Sequence, residues 1–200
     1  NDGNLIFEGE YLNGKMWSGK VYNKYGDNTF EIKNGKGNIK EYNDNFEFYG
    51  EYLNGERNGK GIEYYKENKI FEGEYLNGER SGKGEEYLSN RLIFEGEYLN
   101  GKRSGKGIEF YDDGKLKFEG KYLNGKRNGK GKLYNNNGNL EFEGDYLNGE
   151  RSGKGKEYYY NGKLKFEGEY LNGKIWNGKG CNINGNMEFE IKNGKGKIKE

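Results

Sequence analysis

The segments of this chain closest to a chemical motif are glycine-rich and carry a lysine. Gly78-Glu79-Arg80-Ser81-Gly82-Lys83-Gly84 has the ingredients of a phosphate-binding loop. Only three residues separate its first two glycines where that loop needs four, and Gly84 stands where it needs Ser or Thr. No helix is predicted to follow and aim its N-terminus at a phosphate. Paired carboxylates such as Glu72 and Glu74 suggest glycoside hydrolysis, but the pair recurs in most repeats. Catalysis needs two acids in environments that push their pKa values apart, whereas repetition along a strand predicts one solvated face. Asp112-Asp113-Gly114 lacks the ligand spacing of a calcium loop and reads as a turn.

Two sets of residues remain as candidates for contact with a partner. Arg57, Arg80, Arg103, Arg127 and Arg151 recur at one hairpin-tip position. Stacked hairpins would space them about 10 Å apart along one edge, two strand spacings. Such a row is either a basic ridge for anionic headgroups or an acidic partner, or plain edge protection and solubility. Glu56, Glu79 and Glu150 precede three of these arginines and halve the local field. Trp17 and Trp176 follow Met16 and Ile175, which replace the usual arginine and lengthen the hairpin by one residue. Each precedes a truncated repeat, so the indole is expected to fold over the notch left there, with an exposed interface as the competing reading.

Composition excludes most other chemistry. The 200 residues include 37 Gly, 19 Tyr and 11 Phe, with no His, no Pro and a single cysteine, Cys181. There is also no Ala and no Gln. Without histidine, no Ser-His or Cys-His pair and no ordinary zinc site can form. One cysteine allows no internal disulfide. The 34 basic residues balance 33 acidic ones, leaving no overall field to attract nucleic acid. No apolar run reaches the roughly 18 residues of a membrane span. Only 30% of residues are hydrophobic, too few for an ordinary layered core. Aromatics nonetheless reach 16%, unlike a disordered chain.

The elements that hold these residues come from one repeated motif. Phe-Glu-Gly-Glu-Tyr-Leu-Asn-Gly starts at Phe7, Phe71, Phe94 and Phe166, with variants at Phe48, Phe118 and Phe142. Full copies from Phe48 to Phe166 start 23 or 24 residues apart. Two truncated copies lie near residues 30–47 and 189–200. Period-two alternation predicts strands, and Asn-Gly predicts the turn between them. Gly82-Lys83-Gly84 opens the return strand with both glycines on one face. The fold class expected is all-β: nine consecutive hairpins in an elongated, single-layer antiparallel sheet, one array over residues 1–200. Tyr52, Tyr75, Tyr98, Tyr122, Tyr146 and Tyr170 are the repeat aromatics. Rings from the neighbouring repeat are expected to lie flat over the glycine slots. On the opposite face, Glu72 and Glu74 are expected to oppose Lys83. Trp17 to Glu41 resembles Trp176 to Glu200, which predicts a longer array of which this is a fragment.

This pattern of aromatics, glycines and period resembles the MORN (membrane occupation and recognition nexus) repeat over essentially the whole chain. The resemblance implies an extended hairpin array that acts as a non-enzymatic scaffold for protein–protein contacts. It also implies two alternatives. One is a membrane-recruitment module for anionic phospholipid; the other is the regulatory arm of a phosphoinositide kinase or methyltransferase. No cofactor, nucleic acid or small-molecule substrate is expected. Protein partners are, along with peripheral contact with anionic membrane and self-association. The expected location is the cytoplasm, at a membrane face or on the cytoskeleton.

Overall fold

The computed structural model describes residues 6–23, 26–43 and 45–198. Among them are eighteen strands and no helix. The chain divides into two compact units, Asn1–Lys102 and Arg103–Glu200.

In the first unit, β1 (Phe7–Leu12), β2 (Lys15–Tyr22) and β3 (Asn28–Ile32) form a three-stranded sheet. A ladder of β4 (Gly37–Asn43), β5 (Phe46–Leu53), β6 (Glu56–Tyr65), β7 (Asn68–Leu76), β8 (Glu79–Leu88) and β9 (Arg91–Leu99) follows, each strand antiparallel to the next. Among the described residues β3 and β4 share no ladder, and the isolated Lys33–Lys36 bridge spans the turn between them. The first truncated repeat is therefore where the sheet parts.

The second unit begins one residue into β10 (Lys102–Phe110). It continues through β11 (Leu116–Leu123), β12 (Lys126–Tyr134), β13 (Leu140–Leu147), β14 (Glu150–Tyr158), β15 (Leu164–Leu171), β16 (Lys174–Cys181), β17 (Met187–Lys192) and β18 (Lys195–Ile198). Every strand pairs with its sequence neighbours, and the second truncated repeat forms a complete small hairpin from Phe189–Ile198 to Lys192–Lys195.

The Asn-Gly tips are two-residue turns with both central residues at positive φ, as at Asn77 (51°) and Gly78 (86°). Asn and Gly adopt this conformation at the lowest cost, and its twist matches that of the flanking strands. The connections between hairpins explain the two repeat lengths. Repeats of 23 residues use the tight turns Lys66-Glu67 and Ser89-Asn90, all four residues at positive φ. Repeats of 24 residues insert one more residue and place Gly114, Gly138 or Gly162 in the left-handed region.

The core lies on one face. Phe48, Phe71 and Phe94 in the first unit and Phe118, Phe142 and Phe166 in the second are buried. The six repeat tyrosines are 4–5% exposed. Phe71 meets Tyr75 of its own hairpin edge-on at 5.7 Å and Tyr98 of the next at 5.2 Å. Phe118 treats Tyr122 and Tyr146 alike, at 5.7 and 5.3 Å. Edge-to-face pairs of this kind add roughly 0.5–1.5 kcal/mol beyond burial. The ring over the glycine slot is chiefly that of the same hairpin, which corrects the expectation of a neighbour's ring. A Cβ on Gly73 would lie 2.7 Å from Gly84 Cα and 2.8 Å from Phe71 Cζ. The neighbour's ring reaches the slot from the other side, with Tyr98 3.1 Å from a Cβ on Gly84.

Register corrects two further expectations. Gly73 pairs with Gly84 and Tyr75 with Arg80, so Ser81, Gly82 and Lys83 bulge opposite Glu74. Gly82 is thus a bulge residue at φ 69°, not a second slot. The tryptophan hairpins are shorter than the arginine hairpins by one residue, not longer. Gly19 pairs with Gly9 as Gly61 does with Gly50, while Trp17 alone is left over between Ser18 and Met16.

Candidate binding faces

On the core face, four of the candidate arginines turn inward instead of forming an exposed ridge. Arg57, Arg80, Arg127 and Arg151 side chains are 21, 25, 19 and 24% exposed. Arg103 is half-buried at the equivalent place. Each of the four guanidiniums stacks on a phenylalanine of its own hairpin, with Arg80 4.0 Å from the Phe71 ring and Arg127 4.0 Å from Phe118. Each also binds a carboxylate. Glu109, on the return strand of the preceding hairpin, accepts from Arg127 Nε at 2.9 Å and Nη2 at 2.7 Å, and from the Tyr122 hydroxyl at 2.5 Å. In the first unit Glu63 is held the same way by Tyr75 and a two-pronged Arg80. Arg57 forks onto Glu41 at 3.2 and 2.5 Å.

The electrostatics follow from that geometry. Burial opposes ionisation of Glu109, but the Arg127 fork and the Tyr122 hydroxyl outweigh it and hold the carboxyl below its usual range. Burial and the hydrogen bond to Glu63 push the Tyr75 hydroxyl up. Arg80 is buried at some cost, yet Glu63 keeps it protonated more firmly than usual. Bidentate, ring-stacked guanidiniums have few donors left for a phosphate.

The clamp has one break with its own repair. Leu133 occupies the return-strand position of Glu109 and Glu63, since each pairs with the phenylalanine of the following hairpin. Arg151 therefore lacks a preceding carboxylate. Ile175 stands where Glu157 would find the next arginine. The two stranded groups, Arg151 and Glu157, bind each other. Tyr146 and Tyr170 keep buried hydroxyls without a hydrogen-bond partner.

Both tryptophans cover the tip of the truncated hairpin that follows. A Cβ on Gly35 would lie 2.7 Å from Trp17 Cζ3, and one on Gly194 would lie 3.2 Å from Trp176 Cζ3. The same glycines donate their N–H to the carbonyls of Trp17 at 2.7 Å and Trp176 at 2.8 Å. Trp176 stays 38% exposed.

The opposite face carries charge over a glycine backbone floor. In the second unit it forms an open trough of about 930 Å³ in which six lysines face five carboxylates. One row alternates in sign across the ladder, Glu119 opposite Lys132, Lys132 opposite Glu143, Glu143 opposite Lys156, Lys156 opposite Glu167. In the other row Lys106 opposes Lys121, Lys130 opposes Asp145, and Lys154 opposes Glu169. Tyr134 and Tyr158 donate to Glu119 and Glu143 at 2.8 and 2.6 Å; burial and those carboxylates push both phenols up to about 12. In the first unit Lys83 opposes Glu97 of the next hairpin, not Glu72, which opposes Glu85. The sequence reading missed the trough because it paired charges within hairpins.

Five consecutive copies of this hairpin, at residues 48–68, 71–91, 94–115, 118–140 and 142–163, match the MORN repeat. The chain belongs to the MORN repeat family. MORN repeats are generally interaction modules. No curated protein matches the chain. The MORN hairpins here spend their arginines internally and present charge and leucine outward. Among the described residues no group of His, Cys, Asp and Glu could hold a metal ion, and no helix is long and apolar enough to cross a membrane.

Proposed function

We propose that this MORN array is a non-enzymatic scaffold that binds protein partners through the charged face of its hairpins. The observation that carries the reading is the trough of the second unit. Its strand backbones are already paired in the ladder, so it offers a ligand side-chain charges in a fixed order and no sheet edge to extend. Alternating lysines and carboxylates fit an extended chain of mixed charge. A phosphoinositide reading based on the arginine row is disfavoured, because Arg57, Arg80 and Arg127 are forked onto carboxylates, Arg151 is paired with Glu157, and all four are stacked on rings.

Reversing three trough lysines tests this (Lys106→Glu, Lys121→Glu, Lys130→Glu). Proteins captured by the wild-type chain from its native extract should be lost from this variant and retained by a variant altered at the exposed Tyr160. Equal capture by both variants would overturn the reading. So would headgroup-selective pelleting with phosphoinositide vesicles and no captured protein.

A further inference from the structure

Every full hairpin ends in a leucine immediately before the Asn-Gly turn, and all are exposed. In the first unit Leu53, Leu76 and Leu99 are 43, 54 and 58% exposed; in the second Leu123, Leu147 and Leu171 are 50, 53 and 47% exposed. An apolar side chain at the same exposed tip of each hairpin does nothing for the core behind it. Across each turn stands a charged residue, directly opposite the leucine: Lys15, Glu56, Glu79, Lys126, Glu150 and Lys174. Lys102 follows the Asn100-Gly101 turn in the same way. Among the described residues, Glu79, Lys102, Lys126 and Glu150 make no ion pair within the chain. The tips thus combine an apolar group with an unspent charge.

The order of these charges identifies the occupant. In the first unit the neighbouring tips of Leu76 and Leu99 carry Glu79 and Lys102, of opposite sign. A second copy turned antiparallel about the midpoint between them sets the opposite sign against each. A parallel, in-register copy would instead set like charge on like at every tip.

We propose that the leucine tips are a homodimer surface, on which a second copy of this chain docks antiparallel. The centre of the contact is complete within the first unit: Leu76 and Glu79 of one copy meet Leu99 and Lys102 of the other, twice, by two-fold symmetry. The leucines supply the buried apolar centre, and the charges select the register. This surface is separate from the trough.

Sedimentation velocity of the full chain from about 10 to 500 μM tests the proposal. A surface this narrow predicts a dimer that dissociates in about the micromolar range. Glu79→Lys alone and Lys102→Glu alone each create two like-charge contacts across the dyad and should weaken the dimer at least about tenfold. Combining them exchanges the signs and should restore affinity to within about threefold of wild type. Leu76→Asn with Leu99→Asn should leave a monomer with an unchanged far-UV spectrum. A wild-type monomer at 500 μM would overturn the proposal. A dimer indifferent to the single reversals, or one that the double reversal fails to rescue, would do the same.

Discussion

Leu133 and Ile175 interrupt the clamp at two places one hairpin apart, and restoring both should be worth more than restoring either. With Leu133→Glu alone, the new carboxylate and Glu157 compete for one guanidinium, that of Arg151. Glu157 is only 14% exposed, so losing its share is costly even with Lys165 3.3 Å away. With Ile175→Arg alone, two guanidiniums compete for Glu157. The double variant has two complete sets, the new carboxylate with Tyr146 and Arg151, and Glu157 with Tyr170 and the new guanidinium. Each tyrosine hydroxyl, now buried without a partner, gains an acceptor, and such an orphan costs about 1–3 kcal/mol. Against that stands the desolvation of one more ion pair, which absorbs much of the Coulombic gain. The coupling between the substitutions should therefore be about 1–2 kcal/mol, favourable, with either single variant near neutral or destabilised.

Trp176 lies beside the altered position and reports its unfolding by fluorescence in a Trp17→Phe background. Urea midpoints and slopes for the four members of the cycle give the coupling, provided the transitions coincide with far-UV circular dichroism. Additivity within about 0.5 kcal/mol would refute the idea that Arg151 and Glu157 pair because each lacks its regular partner.

Three further outcomes follow from the same contacts. Gly73→Ala should destabilise by about 2–3 kcal/mol, because its Cβ meets backbone at 2.7 Å, whereas Gly78→Ala meets nothing and should cost only its positive φ, about 1 kcal/mol; thermal melts compare them. Replacing Lys66-Glu67 by Asn-Gly should raise stability by about 1 kcal/mol in urea titrations, since two ordinary side chains now hold φ values of 48° and 65°. Glu109 has a folded-state pKa below its unfolded value, so its contribution is full above the ordinary carboxylate range and is lost as pH falls through the folded value. The stability gap between wild type and Glu109→Gln should accordingly be widest near neutrality and close in acid; a gap that widened in acid would contradict the clamp.

Much of the fold is legible in the sequence because its signals are local. Asn77-Gly78 specifies a tight turn by backbone conformation alone, and Phe71, Gly73 and Tyr75 share a face by strand alternation. The 23- and 24-residue spacings even report which connecting turn is used. What was not legible depends on register. Whether Gly82 or Gly84 faces Gly73 is decided by a bulge, and nothing in Gly-Lys-Gly distinguishes the two glycines. The same ambiguity made the tryptophan hairpins look long. Arg80 reads as part of an exposed row because it recurs at the hairpin tip, and the acid that binds it, Glu63, lies 17 residues earlier and one hairpin back. A usable signal existed. A glutamate recurs on the return strand before hairpins that carry arginine, and Val21 and Gly180 replace it before the truncated hairpins that carry none.

The two faces are under different physical constraints, and that difference bears on function. On the core face the charged groups answer one another, so that even the Leu133 break is absorbed by a neighbouring pair, at the cost of the Tyr146 and Tyr170 hydroxyls. The outer face of the first unit follows no such economy. Glu72 lies opposite Glu85, and Glu85 opposite Glu95. Like charges directly across a ladder destabilise it by a few tenths of a kcal/mol to about 1 kcal/mol per pair. Lys69, 2.8 Å from Glu72 and 3.9 Å from the centre of the Tyr87 ring, relieves only part of this. A lysine at Glu85 would give the alternation that the second unit achieves with Glu119, Lys132 and Glu143. The return strands β12 and β14 of the second unit carry lysine at that place in Lys132 and Lys156, whereas Glu85 here accepts a hydrogen bond from the Tyr87 hydroxyl. That hydrogen bond and Lys69 leave the repulsion among three successive carboxylates only partly compensated. The scaffold function proposed above accounts for them through a partner that would bring its own positive charges to this face.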